Sequence, residues 1–149
     1  MRLSTKGRYG LRAMVDLAAN SMGDHVSLYS IAGRQNISEN YLEQVFSALR
    51  NAGLVKSIKG AQGGYILSDE PSDIKVGTIL RALEGNLSLV DEDGGDDGSP
   101  DNAVQNCIKI NVWDKINECV NRIVDSMTLQ DLVNEYRKMS GENTVMYYI

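Results

Sequence analysis

The stretch Ile37–Leu67, ISENYLEQVFSALRNAGLVKSIKGAQGGYIL, decides the fold of this 149-residue chain. Its first half places apolar residues at helical spacing behind Ser38, a favoured helix N-cap residue. Its second half alternates apolar and polar residues on both sides of AQGG, which predicts a β-hairpin. The preceding segment LYSIAGRQ predicts a short helix, capped by Ser27 and stopped at Asn36. Two short helices joined by a tight turn and followed by a hairpin predict a winged helix-turn-helix.

The flanking segments predict further helices. Ser4 or Thr5 can cap a helix that runs to about Asn20, and VGTILRALEG predicts another, ended by Gly85. A long helix is predicted from about Ala103, and Thr128 caps the last one, LQDLVNEYRKM. The expected fold class is mainly α with a small β wing: a winged helix-turn-helix plus a long dimerisation helix. The expected divisions are 1–85 for the DNA-binding domain, 86–106 for a flexible acidic loop, 107–139 for the dimerisation helix and last short helix, and 140–149 for a C-terminal tail.

The composition fits a globular protein of about one domain, with 42% hydrophobic and 23% charged residues. No run of about 18 apolar residues predicts a membrane span. The N-terminus MRLSTKGRYG lacks an apolar signal core, so a cytoplasmic location is expected. Cys107 and Cys119 are then expected to be free thiols, since about 18 Å separates them along one predicted helix.

The net charge of −5 hides an uneven distribution. Residues 1–67 hold eight Lys/Arg against four Asp/Glu, a net +4, whereas the remainder holds seven against sixteen, a net −9. Only the first part suits a polyanion. Lys56 and Lys59 flank the hairpin, and its tip offers Gln62 and three glycines, which let a backbone approach DNA closely. A plain hairpin with a solvated basic edge is the alternative.

The predicted long helix carries an apolar stripe that a small winged domain cannot cover. A second copy of the same helix is the economical partner, which predicts a two-fold homodimer. Packing of the stripe on the first helix is the alternative, and both arrangements can coexist. The residues expected to form the dimer contact are Trp113, Ile116, Val120 and Ile123.

Three stretches resemble the Rrf family of bacterial winged-helix regulators: MRLSTKGRYGLRAM, the Ile37–Leu67 stretch and VGTILRALEG. The likeness covers nearly the whole chain and is most specific in residues 1–85. It implies a dimer with two winged heads, held by crossed long helices, on a palindromic operator. On that resemblance, the residues expected to contact bases are Ser38, Asn40, Tyr41, Glu43 and Gln44.

The resemblance also implies phosphate contacts and a wing that enters the minor groove. Within that scheme Glu43 accepts from a cytosine amino group and Gln44 reaches adenine. Many relatives have Arg where this chain has Lys59, and a Lys ammonium is a point charge rather than a planar fork. The residues expected to hold phosphates are Lys6, Arg8, Arg50 and Lys56, and those expected at the wing contact are Lys59, Gln62, Gly63 and Gly64.

No metal or cofactor is expected. Cluster-sensing members of the family carry three cysteines before the long helix, but here only Cys107 sits at such a position. One thiolate cannot hold a cluster that needs about four ligands. The run of carboxylates at 91–101 offers oxygen ligands but departs from the calcium-loop pattern at Gly95. His25, the only histidine, has no matching nucleophile or base, so an enzyme is not expected.

The chain ends on Met146, Tyr147, Tyr148 and Ile149 behind the polar segment SGENT. Cysteine-metabolism repressors of the family end similarly, and the resemblance implies a complex with the cysteine synthase O-acetylserine sulfhydrylase. The free carboxylate of Ile149 would occupy the enzyme's active site as a substrate does. The alternative is a tail that packs on its own dimer. Two other functions stay open: a regulator that responds to a small ligand or to thiol oxidation, and an interaction module that does not bind DNA.

Overall fold

The structure is a computed structural model that describes residues 2–90 and 102–141. The acidic run at 91–101 and the last four residues, Met146 to Ile149, lie outside the described residues. The described elements, in chain order, are α1 (Thr5–Asn20), α2 (Leu28–Gln35), α3 (Glu39–Asn51), β1 (Val55–Ile58), β2 (Gly64–Leu67), a 3-10 turn (Pro71–Asp73), α4 (Val76–Glu84), α5 (Ala103–Ile108), a π-helical turn (Lys109–Trp113), α6 (Asp114–Ser126) and α7 (Leu129–Met139).

The helix-turn-helix forms for the local reasons that its sequence predicts. The Ser27 side chain accepts a hydrogen bond from the N–H of Ser30, and the Ser38 side chain accepts one from Tyr41. Each bond satisfies an N–H group that the first helical turn leaves unpaired. Asn36 ends α2 in the left-handed conformation, with φ of 55°, which is tolerated by asparagine. The predicted boundaries of this motif are confirmed.

The wing is an antiparallel pair in which Val55 faces Leu67 and Ile58 faces Gly64. A third backbone segment supports it, because Val26 and Tyr65 exchange N–H···O bonds of 2.9 Å in both directions. Gly64 makes this approach possible. A Cβ atom at that position would lie 2.3 Å from the carbonyl oxygen of Val26. The wing is therefore attached to the segment that leads into α2.

One apolar core joins the helices of the head. Its largest fully buried side chains include Met14, Leu17, Phe46 and Ile79. The last helix also contributes, since Leu129 and Val133 are buried in the same cluster. Two backbone hydrogen bonds anchor the start of α7: Leu129 donates to the Ile74 carbonyl at 2.8 Å, and Val76 donates to the Met127 carbonyl at 2.9 Å. The end of the described chain thus returns to the winged head.

An ion pair with a buried carboxylate fixes α2 against α1. Asp16 is 4% exposed, and Arg34 donates to both of its carboxylate oxygens at 2.7 to 3.2 Å. Gln35 adds a hydrogen bond of 2.9 Å to the same carboxylate. The hydrogen bonds to Asp16 raise the pKa of the Arg34 guanidinium above its ordinary value. A buried carboxylate requires such partners, because an unpaired one costs several kcal/mol.

The long helix runs without interruption from Ala103 to Ser126, with the π-helical turn in its middle. It packs on α4 next to Gly77, where a Cβ atom would lie 2.1 Å from Oδ1 of Asp125. Arg81 of α4 donates to both oxygens of Asp125 at 2.8 Å and to Asn121 at 2.6 Å. The long helix is confirmed; its π-helical turn is a feature that the apolar stripe did not predict.

The Arg81–Asp125 contact predicts a pH dependence of stability. Hydrogen bonds from Arg81 hold the pKa of Asp125 below its ordinary value of 3.8. The pair therefore stabilises the fold above about pH 4, and this contribution is lost as the pH falls through the lower pKa of the folded state. Both side chains are about one third exposed, so we expect no more than about 1 kcal/mol.

Asp125→Asn is the variant that tests this dependence. Urea denaturation of both proteins at fixed concentration is expected to show the wild type more stable at pH 6, with the difference shrinking as the pH falls below about 4. An unchanged difference across that range would contradict the pKa assignment. Asp114→Asn is the control variant. It removes the charge from an exposed ion pair, Lys109–Asp114, whose N–O distance is 3.3 Å.

The predicted fold class, mainly α with a small β wing, is confirmed. The divisions at 85, 106 and 139 stay predictions. Within the described residues, no helix is long and apolar enough to span a membrane.

Candidate nucleic-acid interface

The exposed face of α3 carries the polar residues that were expected to contact bases. Apolar side chains bury the opposite face, since Leu42, Val45 and Phe46 are 0% exposed. The side chains of four residues are exposed instead: Ser38, Asn40, Glu43 and Gln44. Asn40, Glu43 and Gln44 make no side-chain hydrogen bond to any described residue, and the Ser38 hydroxyl, which caps the helix, keeps its own proton to donate. This face therefore presents unused hydrogen-bonding groups.

Tyr41 differs from the other four because its ring is partly buried against the core. It meets the ring of Tyr9 edge to face, with centroids 6.0 Å apart. The guanidinium of Arg12 lies 5.0 Å from the Tyr9 ring centroid and donates to the carbonyl oxygen of Gln35 at the end of α2. The ring of Tyr41 is thus placed by its packing on the core and on Tyr9 of α1.

The residues expected to hold phosphates lie at the surface of the head. Lys6 is half-buried, whereas Arg8, Arg50 and Lys56 are exposed. Arg8 donates weakly to Thr5 at 3.4 Å. Lys6, Arg50 and Lys56 form no ion pair with any described residue. An unpaired cation on the surface loses little when it moves onto a phosphate, so these positions suit backbone contacts.

The wing tip exposes Lys59 and Gln62, while Gly63 and Gly64 are half-buried. A Cβ atom on Gly63 would lie 2.3 Å from the carbonyl oxygen of Ile58. Both glycines therefore have a reason in the fold itself, independent of any DNA contact. The exposed side chains at the tip are the ones that remain available to a groove.

Three contacts near this surface were missed at the level of the sequence: Arg12 on Tyr9, the Asp16–Arg34 pair, and His25 against the wing. Arg12 and Tyr9 are three positions apart on α1, a spacing that makes them neighbours on the helix surface. The pairs of Asp16 and His25 span 18 and 37 positions, and no local periodicity marks them. The charge of Arg34, counted in the +4 of residues 1–67, is largely committed to Asp16.

The residues expected at the dimer contact lie on the uncovered side of the long helix. Ile116 is 38% exposed and Ile123 is 59% exposed, while Trp113 and Val120 are half-buried. No residue of α5, the π-helical turn or α6 is fully buried in the single chain. Packing against α4 therefore covers only one side of this helix.

A family model described as "Rrf2: Iron-dependent Transcriptional regulator" matches residues 3–135. The chain belongs to the Rrf2 family. Within it, the chain is 48% identical over 150 aligned positions to the HTH-type transcriptional regulator CymR of Bacillus subtilis, with all of both chains covered. The relatives of this Rrf2 protein are named as regulators, and the chain is a DNA-binding transcriptional regulator rather than an enzyme.

Solved Rrf2 structures share its fold. The structure of CymR (YrzC), the global cysteine regulator of B. subtilis, superposes with a TM-score of 0.75 at 47% identity, covering 91% of this chain and 98% of that one. IscR of T. potens gives 0.72 at 45% identity, covering 93% and 90%. The similarity to these two regulators confirms the winged helix-turn-helix expected from the sequence of this chain.

The donor set of this Rrf2 protein does not fit an iron–sulfur cluster. The chain has two cysteines, and both Cys107 and Cys119 are exposed on the long helix. The Cys107 thiol accepts a weak contact from the Asn111 amide at 3.7 Å. Residues 2–90 and 102–141 contain no group of three His, Cys, Asp or Glu side chains that could hold a metal ion. Two thiolates fall short of the roughly four ligands that a cluster requires.

Glu43 gives a direct test of base contacts by α3. Glu43→Ala is expected to weaken binding to the cognate duplex about 5- to 100-fold, because one base-edge hydrogen bond contributes about 1–3 kcal/mol of discrimination. Binding to unrelated DNA should stay equal or strengthen, since the substitution removes a negative charge from the surface that faces the DNA polyanion. The duplex is a palindrome selected from a random library by the full-length protein, and fluorescence anisotropy gives both affinities.

Glu39→Ala is the matched control, because Glu39 is the same residue type one turn earlier on α3. It is expected to change the ratio of specific to non-specific affinity less than twofold. Loss of both affinities together in Glu43→Ala would contradict a base-specific role.

Proposed function

We propose that this chain is a homodimeric repressor of cysteine and sulfur metabolism genes that acts on a palindromic operator in the cytoplasm. The observation that carries the proposal is the 48% identity to CymR over the full length of both chains. That relative, whose structure has been solved, is the global cysteine regulator of B. subtilis. An alignment at this identity that spans the whole of both chains supports a shared mode of action.

The homodimer is supported by the uncovered apolar face of the long helix. Monomeric proteins rarely leave such a face in water, and a second copy of the same helix covers it without a new partner. Trp113, Ile116, Val120 and Ile123 form the centre of the proposed contact. A two-fold dimer would place two α3 helices on successive half-sites, which explains why a palindrome is expected.

In the proposed complex, α3 enters the major groove and the wing enters the minor groove. The base contacts come from Ser38, Asn40, Tyr41, Glu43 and Gln44. The cations Lys6, Arg8, Arg50 and Lys56 fix the register on phosphates, and Lys59 with Gln62 to Gly64 lies along the minor groove. The support is that these side chains, apart from the half-buried Lys6 and Tyr41, are exposed and largely unpaired.

The proposed signal comes through O-acetylserine sulfhydrylase. The last residues, Met146, Tyr147, Tyr148 and Ile149, would bind in the active site of that enzyme, with the terminal carboxylate in the place of a substrate carboxylate. O-acetylserine would then compete with the tail and release the complex. Operator occupancy would in this way follow the supply of the sulfur acceptor.

Co-elution with the host's O-acetylserine sulfhydrylase tests this proposal. The full-length protein is expected to co-elute with the enzyme, and a version that ends at Thr144 is expected to elute alone. O-acetylserine should abolish the complex of the full-length chain. If the tail binds the enzyme rather than its own dimer, both versions should keep the same melting temperature, which is measured in parallel.

The outcomes separate the remaining alternatives. No complex with either version would leave operator binding intact but contradict the sulfhydrylase partner, favouring a regulator that senses a small ligand or oxidation of Cys107. Melting of the shortened version at a lower temperature would indicate that the tail packs on its own dimer.

A further inference from the structure

The single histidine, His25, connects the loop between α1 and α2 to the wing. Its Nε2 atom contacts the backbone carbonyl oxygen of Gln62 at the wing tip. Its Nδ1 atom lies 2.9 Å from Oδ1 of Asp24, and its backbone N–H donates to the same oxygen at 2.7 Å. The imidazole is 29% exposed, so the ring is held between the loop and the wing.

The wing tip has few other supports. The pair β1–β2 is four residues long, and an isolated hairpin of this size is marginally stable in water. The bridge between Val26 and Tyr65 holds β2 one residue from its tip end, but it does not reach the turn at residues 59–63. At the tip, the turn is closed by one backbone bond of 3.0 Å from Gly63 to Gly60. Among the described residues, His25 is the side chain that hydrogen-bonds this turn.

Both ring nitrogens of His25 face an oxygen acceptor. A neutral imidazole has one N–H to donate, and the tautomer that carries this proton on Nε2 satisfies the Gln62 carbonyl. On the other side of the residue, its backbone N–H donates to Asp24. His25 therefore has hydrogen bonds both to the loop and to the wing tip.

We infer that His25 is a positioning residue that fixes the wing tip for DNA through the contact of its Nε2 atom with the Gln62 carbonyl. The inference rests on the proposed contact between the wing and the minor groove. A fixed tip presents Lys59 and Gln62 in one arrangement, so less order has to be imposed on binding. Operator affinity should therefore fall when this contact is removed.

The test compares full-length variants on the selected palindromic duplex. His25→Ala is expected to bind about 5- to 10-fold more weakly than wild type, the loss that one or two hydrogen bonds predict. His25→Gln keeps an N–H donor for the Gln62 carbonyl, and it should recover part of the affinity.

Two further variants serve as controls. Met22→Ala changes a side chain that is 93% exposed in the same loop, and it should bind as wild type does. Lys59→Ala tests whether the wing contacts DNA at all. Hydrogen exchange of the Gly63 amide, measured by NMR without DNA, reports the order of the tip and should be faster in His25→Ala than in wild type.

The outcomes distinguish the two ideas. If Lys59→Ala binds weakly while His25→Ala binds normally, the positioning role is overturned. If Lys59→Ala binds normally, the proposed groove contact fails instead. The Gly63 amide then decides the positioning role, which faster exchange in His25→Ala supports and unchanged exchange overturns.

Discussion

Phe46→Ala is expected to lower the free energy of unfolding by about 3–5 kcal/mol. Phe46 is 0% exposed and lies at the centre of the core. Its ring centroid is 4.8 Å from that of Tyr65 in β2. Alanine would leave a cavity between α3 and the wing and remove this aromatic contact. Since domains of this kind are stable by only about 5–15 kcal/mol, the loss is a large share of the total.

Urea denaturation at fixed protein concentration measures this change, because self-association makes stability depend on concentration. Phe46→Leu fills most of the space and is expected to cost less than about 1.5 kcal/mol. Tyr29→Ala removes an aromatic ring that is 76% exposed and should change stability by less than about 0.5 kcal/mol. Equal losses for Phe46→Ala and Phe46→Leu would show that the site relaxes to close the cavity.

Ile123→Asp is expected to abolish dimerisation and to weaken binding to the palindromic duplex by more than about 100-fold. Ile123 is 59% exposed in the single chain, so an aspartate there costs the folded monomer little. In the proposed dimer the same carboxylate would be buried against its own symmetry mate, where an unpaired charge costs several kcal/mol. A monomer would also lose the second half-site and its contribution to affinity.

Sedimentation velocity gives the oligomeric state, and anisotropy with whole and half palindromes gives the affinities. Arg122→Asp introduces the same side chain at the neighbouring exposed position, on the polar side of α6, and should remain dimeric. Ile123→Asp should bind a half-site with the same affinity as the wild-type protein binds it. A dimer that persists in Ile123→Asp would contradict the proposed interface and leave the uncovered face of α6 without an assigned partner.

Many features of the head could be predicted because they depend on neighbours in the chain. Ser4, Ser27 and Thr128 each accept a hydrogen bond from an N–H group three residues ahead, and Thr128 completes a capping box with Asp131. Such contacts are fixed by residue type and spacing alone. The alternation of β1 and β2 around a glycine-rich turn is equally local.

The candidate DNA surface was predicted in part. Exposure of Glu43 and Gln44 follows from the helical spacing of Leu42, Val45 and Phe46, because burial of one face of a helix leaves the other in water. The partial burial of Tyr41 did not follow, since it depends on Tyr9 of another helix. The groove contacts themselves were drawn from a family resemblance, and they stay predictions.

By itself, the sequence determined where helices begin and end, that a wing follows α3, and which face of each helix is apolar. Only the tertiary structure decided that Asp16 meets Arg34, that His25 reaches Gln62, and that Leu129 returns to the core of the head. These contacts join residues 18 to more than 100 positions apart in the chain. Caps and periodicity involve residues within one or two turns, whereas long-range contacts depend on how all the elements pack at once, which no local pattern encodes.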